Sequence, residues 1–63
     1  MHEEKIMKFF KYDHLPEKLQ AISKPFSDLA QQMVYTLNPS AERTAGLRKL
    51  LEAKDCMVRA SIE

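Results

Sequence analysis

Apolar residues fall at Leu19, Ile22, Phe26, Leu29, Met33 and Leu37, with spacings of 3, 4, 3, 4 and 4. That period places them on one face of an amphipathic helix, and Ala30 and Val34 widen the stripe. The helix is expected over about 16–37. Pro16 suits a first turn, where its missing N–H has no partner to lose, and Glu17 favours the positive end of the dipole. Pro25 lies inside the pattern, where it removes one hydrogen bond and crowds the carbonyl four residues earlier. The helix either kinks there or stops near Ile22 and restarts with Ser23 as cap. The stripe keeps phase across Pro25, which favours the kinked, continuous form.

Asn38-Pro39-Ser40 marks the clearest boundary. A residue before proline is pushed out of helical geometry, and Ser40 is a good N-cap with Glu42 in the turn that follows. The second helix is expected over about 41–61. Leu47, Leu50, Leu51, Met57, Val58 and Ile62 lie on one side, with Lys54 in the middle of that stripe. A second row, Gly46, Ala53, Cys56 and Ala60, consists of small residues that let another helix approach closely. A connection of about three residues forces the two helices antiparallel. The predicted fold is all-α, an antiparallel helical hairpin. Two apolar faces on one helix exceed what a single partner helix can cover, so the hairpin is expected to assemble as a homo-oligomeric helical bundle.

The first fifteen residues show no sustained period. Apolar, aromatic and basic residues interleave through Ile6-Met7-Lys8-Phe9-Phe10-Lys11-Tyr12. Residues 1–6 are expected to fray and residues 7–15 to form an extended, aromatic-rich arm, a short helical turn at 3–11 being the alternative. The domain proper is placed at 9–63, with 1–8 as a flexible N-terminus.

Size and charge narrow the picture. A chain of 63 residues buries a modest fraction of its surface, and small domains usually need a disulfide, a metal or association. With Cys56 as the single cysteine, neither an internal disulfide nor a four-ligand zinc site can form. Association remains. Ten Lys and Arg against nine Asp and Glu argue against sequence-independent binding to a nucleic acid polymer, though a small anion needs only two or three cations. No apolar run reaches signal-peptide length or the roughly 20 residues of a membrane span. The expectation is a cytoplasmic protein with no membrane partner.

Candidate chemistry is sparse. His2 and His14 are the only histidines, Gly46 is the only glycine, and neither a metal set nor a phosphate loop is present. Cys56, on the small-residue face, is expected to be buried and inert. The reading is of a non-enzyme without a cofactor. Phe9, Phe10 and Tyr12 among Lys8 and Lys11, with Lys24 further on, could stack bases and hold phosphates. The pattern alone favours the other reading, in which Phe9 and Phe10 cover the open side of the hairpin while the lysines face water. Arg43 and Thr44, with backbone N–H groups at the start of the second helix, could hold an anion, or Arg43 and Arg48 could pair with Asp28, Glu42 or Glu52. Lys54 either snorkels or points its ammonium into a cavity between subunits.

Phe10-x-Tyr12-x-His14-x-Pro16, Leu19-Gln20-Ala21-Ile22, Leu29-Ala30 and Pro39-Ser40-x-Glu42-Arg43-Thr44-Ala45-x-Leu47-x-x-Leu50-x-Glu52-Ala53 follow in order. Together they resemble the helical-hairpin domain of phage anti-CBASS sponge proteins, shared with a Thoeris anti-defence sponge. The likeness spans about residues 9–62, and its most specific piece is the Pro-Ser-x-Glu-Arg-Thr segment. It implies a homo-oligomer, typically a homohexamer, that sequesters cyclic dinucleotides or cyclic trinucleotides, or in the Thoeris relative a cyclic ADP-ribose isomer, without cleaving them. It implies a base-stacking role for Tyr12, with Phe10 and His14 in the same segment. The family's phosphate-binding cation directly follows an Ile; here Ser23 follows Ile22 and the lysine is Lys24. Arg43 and Thr44 match a polar helix start, a candidate second anion site. Asp13 separates Tyr12 from His14 where the family often has Tyr-His. Competing readings are a helical module that binds a host protein, and a nucleic-acid-binding regulator.

Overall fold

The computed structural model describes residues 4–63, and His2 and the rest of residues 1–3 lie outside that range. Two long helices, α1 (Glu17–Thr36) and α2 (Ala41–Ser61), pack as an antiparallel hairpin. A six-residue 3₁₀ helix, Lys5–Phe10, packs against both. The described residues contain no strand.

α1 runs without interruption through Pro25. Pro25 and Ala21, whose carbonyl loses its partner there, are both exposed, so water can take the orphaned acceptor. At the start of α1, Leu19 and Gln20 donate backbone N–H to the Pro16 carbonyl at 2.9 and 3.0 Å. The Gln20 side chain donates back to Leu15 O at 2.8 Å, which closes the turn before the helix. The Leu37 N–H donates to Met33 O at 2.9 Å and ends it.

Ser40 caps α2 as its sequence context predicts. Its backbone is extended and its Oγ accepts the Arg43 N–H at 3.0 Å. Ser40→Ala is expected to cost about 1 kcal/mol, read as a fall of roughly 4–8 °C in melting temperature. An unchanged melting temperature would show that the cap is dispensable.

Burial on α1 is rotated from the apolar stripe. The fully buried positions are Ser23, Ser27 and Ala30, while Leu19, Ile22, Phe26 and Met33 are half-buried and Leu29 and Leu37 exposed. The cause is the 3₁₀ helix. Ile6 and Phe10 join Ala30 and Leu47 in the core, with Phe26, Met33, Val34, Leu50 and Leu51 around them. Small α1 residues make room for those two side chains. The Ser23 hydroxyl has no hydrogen-bond partner among the described residues.

The N-terminal segment takes the second of its two expected forms, a short helical turn in place of an extended arm. Lys5–Lys8 belong to the 3₁₀ helix, Ile6 is buried, and the chain lacks regular helix from Lys11 to Pro16. Burial of Ile6 and Phe10 outweighs the weak local helical preference of a segment with β-branched and aromatic residues. Lys54 also departs from both expected roles. Its buried ammonium donates to Phe9 O at 2.9 Å and lies 3.1 Å from Asp55 Oδ1, so it satisfies an orphan carbonyl at the end of the 3₁₀ helix. Cys56, expected to be buried, is exposed, because the side of α2 that carries it lacks a partner within the protomer.

Gly46 sits inside α2, where a glycine costs about 0.5–1 kcal/mol relative to alanine. No positive φ occurs among the described residues, and a Cβ at Gly46 would meet nothing within 4 Å. The protomer itself supplies no reason for a glycine there.

Candidate functional site

The 3₁₀ helix and the turn after it overhang one side of α1, leaving an open cleft of about 790 Å³. Lys5, Lys8, Lys11 and Tyr12 line it from above and Ser27 and Gln31 from α1, with Glu4 and Asp13 also on the wall. Clefts of several hundred Å³ with a few convergent polar groups are the usual size for a small ligand. Tyr12 is half-buried and keeps part of its surface exposed on the cleft wall. Lys8 extends over the Phe9 ring, its Nζ 5.2 Å from the centroid, a cation–π contact with a residue outside the cleft wall.

The electrostatics favour an anion. Glu4 does not offset the lysines, because its carboxylate is neutralised from the other side by Arg43. Lys5, Lys8 and Lys11 then share the cleft wall with a single exposed carboxylate, Asp13. Such a wall attracts a polyanion of modest charge, and a planar group carried by it can lie against Tyr12.

Arg43 and Thr44 do hold an anion, and the anion is the chain's own. Arg43 Nε donates to Glu4 Oε1 at 3.0 Å, and Nη2 lies 2.9 Å from the same oxygen. Thr44 Oγ1 lies 3.1 and 3.2 Å from the two Glu4 carboxylate oxygens. Arg43 Nη1 also donates to Val34 O at 3.2 Å and Leu37 O at 2.7 Å, satisfying carbonyls at the end of α1. The Arg43 and Glu4 side chains are only 4 % and 8 % exposed. This one guanidinium joins the 3₁₀ helix, the end of α1 and the first turn of α2. The partner differs from Asp28, Glu42 and Glu52, since Glu4 is 39 residues away in the chain and no local spacing points to it.

The other predicted site residues separate. Phe10, 1 % exposed, is a core residue in the protomer, in line with the covering role the sequence offered beside base stacking. Arg43 and Thr44 are likewise committed to the fold within the protomer. His14 is exposed on the turn before α1 and is not part of the cleft wall. Lys24 lies outside that wall too. Its ammonium pairs with Asp28 at 2.9 Å across one helical turn. That hydrogen bond, the Asp28 charge and, less strongly, Tyr12 raise the Lys24 pKa above its ordinary value, so it stays charged near Tyr12. Tyr12 is the predicted residue that lines the cleft. Lys5, Ser27 and Gln31 are additions, and Lys8 and Lys11 gain weight. Among the described residues no group of three or more His, Cys, Asp and Glu side chains is placed to hold a metal ion. No described helix is long and apolar enough to cross a membrane.

No family model, curated protein or solved structure matches the chain.

Proposed function

We propose that this protein is a non-enzymatic sponge. It binds cyclic oligonucleotide immune messengers in the cytoplasm of an infected bacterium and keeps them from their effector, to the benefit of a phage. The observation that carries this reading is the convergence of Tyr12 with Lys5, Lys8 and Lys11 on one cleft. A cyclic di- or trinucleotide presents flat bases beside phosphates, the pair of features that an aromatic face and ammonium groups recognise. The order of motifs along the chain supports the same class, including a cyclic ADP-ribose isomer as a possible ligand and a homohexamer as the assembled form. In an assembly, a second copy closing over the open cleft would exclude water and strengthen each charge contact.

Calorimetric titration with cyclic dinucleotides, cyclic trinucleotides and cyclic ADP-ribose isomers tests the reading. Tyr12→Ala is expected to weaken binding by about 5- to 150-fold, the equivalent of one lost base stack at 1–3 kcal/mol. Lys8→Ala and Lys11→Ala should each weaken it and flatten its salt dependence. Lys24→Ala should have less effect than either, because its ammonium is held by Asp28 outside the cleft wall. Equal binding by wild type and Tyr12→Ala would remove the cleft from the account.

A further inference from the structure

We infer that Asp13 selects guanine, so that the lysine cleft takes guanine-containing cyclic nucleotides in preference to those built from adenine alone. The inference rests on the cyclic-nucleotide reading of the cleft and adds the base it prefers.

Asp13 places a carboxylate on the wall of a cleft that otherwise suits an anion. Beside a phosphate, that charge costs affinity through repulsion. The fold gives it no structural task. Asp13 is exposed, and among the described residues its carboxylate makes no ion pair or hydrogen bond. It does not cap α1, where Pro16 holds the cap position without a side-chain hydrogen bond. The turn around it is closed by the Leu15 N–H, which donates to Tyr12 O at 3.0 Å. Aspartate is favoured at the first position of such a turn, and that position belongs to Tyr12. The Asp13 backbone carbonyl accepts from the Gln20 side chain at 3.4 Å, a contact any residue could make. The carboxylate next to Tyr12 is left for a ligand.

Base chemistry identifies what it reads. An ionised carboxylate accepts through two oxygens and donates nothing. The bases of a cyclic nucleotide are unpaired, so their Watson–Crick edges are open to side chains. Guanine carries two adjacent donors on that edge, N1–H and the N2 amino group, which match the two carboxylate oxygens. Adenine sets its N6 donor beside the N1 lone pair, and cytosine and uracil also place an acceptor next to their donor. The rest of the wall agrees. Lys5, Lys8 and Lys11 are donors suited to guanine O6 and N7, whereas adenine has an amino group in the O6 position. Ammonium groups and one carboxylate on the same wall complement the acceptor and donor sides of a single base.

Calorimetric titration of the full chain with cyclic di-GMP and cyclic di-AMP tests the inference. Wild type is expected to bind cyclic di-GMP about 5- to 150-fold more tightly, the discrimination that one bidentate base contact supplies. Asp13→Ala should abolish that preference by weakening cyclic di-GMP, with cyclic di-AMP held as well as before or better, since a repelling charge is gone. Asp13→Asn keeps the shape but offers one donor and one acceptor, so it should shift the preference towards adenine. Equal affinity of wild type for the two ligands would overturn guanine selection and leave the nucleotide reading standing. A preference that survives Asp13→Ala, or an equal loss of both ligands in that variant, would overturn it in the same way. Binding of neither ligand would overturn it as well, with the wider panel then deciding the nucleotide reading.

Discussion

Arg43→Ala is expected to lower stability by about 3–5 kcal/mol, the usual consequence of removing one partner from a buried ion pair. The substitution removes the guanidinium from the Glu4 carboxylate, 8 % exposed, and from the Val34 and Leu37 carbonyls to which it donates. A domain of this length has roughly 3–9 kcal/mol in total, so the variant should be largely unfolded or melt at least about 12 °C lower. Thermal melting followed by circular dichroism checks this. A melting temperature within a few degrees of wild type for Arg43→Ala would deny this residue its joining role.

Phe10→Ala should be of comparable size for a different reason. The ring is 1 % exposed and shares the core with Ile6, Ala30 and Leu47. Its removal leaves a cavity, and such truncations cost about 3–5 kcal/mol. The 3₁₀ helix should then detach from the hairpin, and the lysine cleft should be lost with it. Detachment predicts faster hydrogen exchange in residues 5–12 than in α2. If exchange at those positions is unaffected, the ring is not what holds the 3₁₀ helix in place.

These two residues also mark where the sequence could and could not be read. The helices were legible because their signals are local. Pro16 and Glu17 open α1, Asn38-Pro39-Ser40 separates the two, and both apolar stripes have helical period. Phe10 was legible only as one of two alternatives, because an aromatic among lysines has the same local pattern whether it faces a ligand or a core. The Glu4–Arg43 contact had no local signature. It depends on a 3₁₀ helix stabilised by burial in a trough that exists only once the hairpin has formed. The same long-range packing explains Lys54, whose partner is the Phe9 carbonyl 45 residues away. It also explains the inward turn of Ser23, Ser27 and Ala30, small enough to admit Ile6 and Phe10. Of the candidate ligand groups, Tyr12 could be found because the aromatic and the lysines are close in sequence. Ser27 and Gln31 could not, since only the fold brings them under the 3₁₀ helix.

The role of Arg43 clarifies why a polar helix start need not be a ligand site. The start of α2 combines unpaired N–H groups, a hydroxyl and a guanidinium, which together attract a carboxylate or phosphate. In this chain Glu4 is that carboxylate, and its capture positions the 3₁₀ helix whose Lys5 and Lys8 line the cleft. Arg43 is thus a positioning residue. Glu4→Gln should weaken nucleotide binding only as far as the 3₁₀ helix shifts, with a smaller loss of stability than Arg43→Ala.

The central claim is that the cleft takes up a cyclic nucleotide and gives it back unchanged. Its most direct measurement is to incubate purified protein with a limiting amount of each cyclic di- and trinucleotide and each cyclic ADP-ribose isomer. Free ligand is then quantified, the protein is denatured by heat, and the solution is quantified again. The account predicts that at least one ligand disappears from solution in proportion to added protein and returns intact on heating, and that Tyr12→Ala takes up much less. Failure to take up any member of the panel, or recovery of a cleaved product, would contradict it.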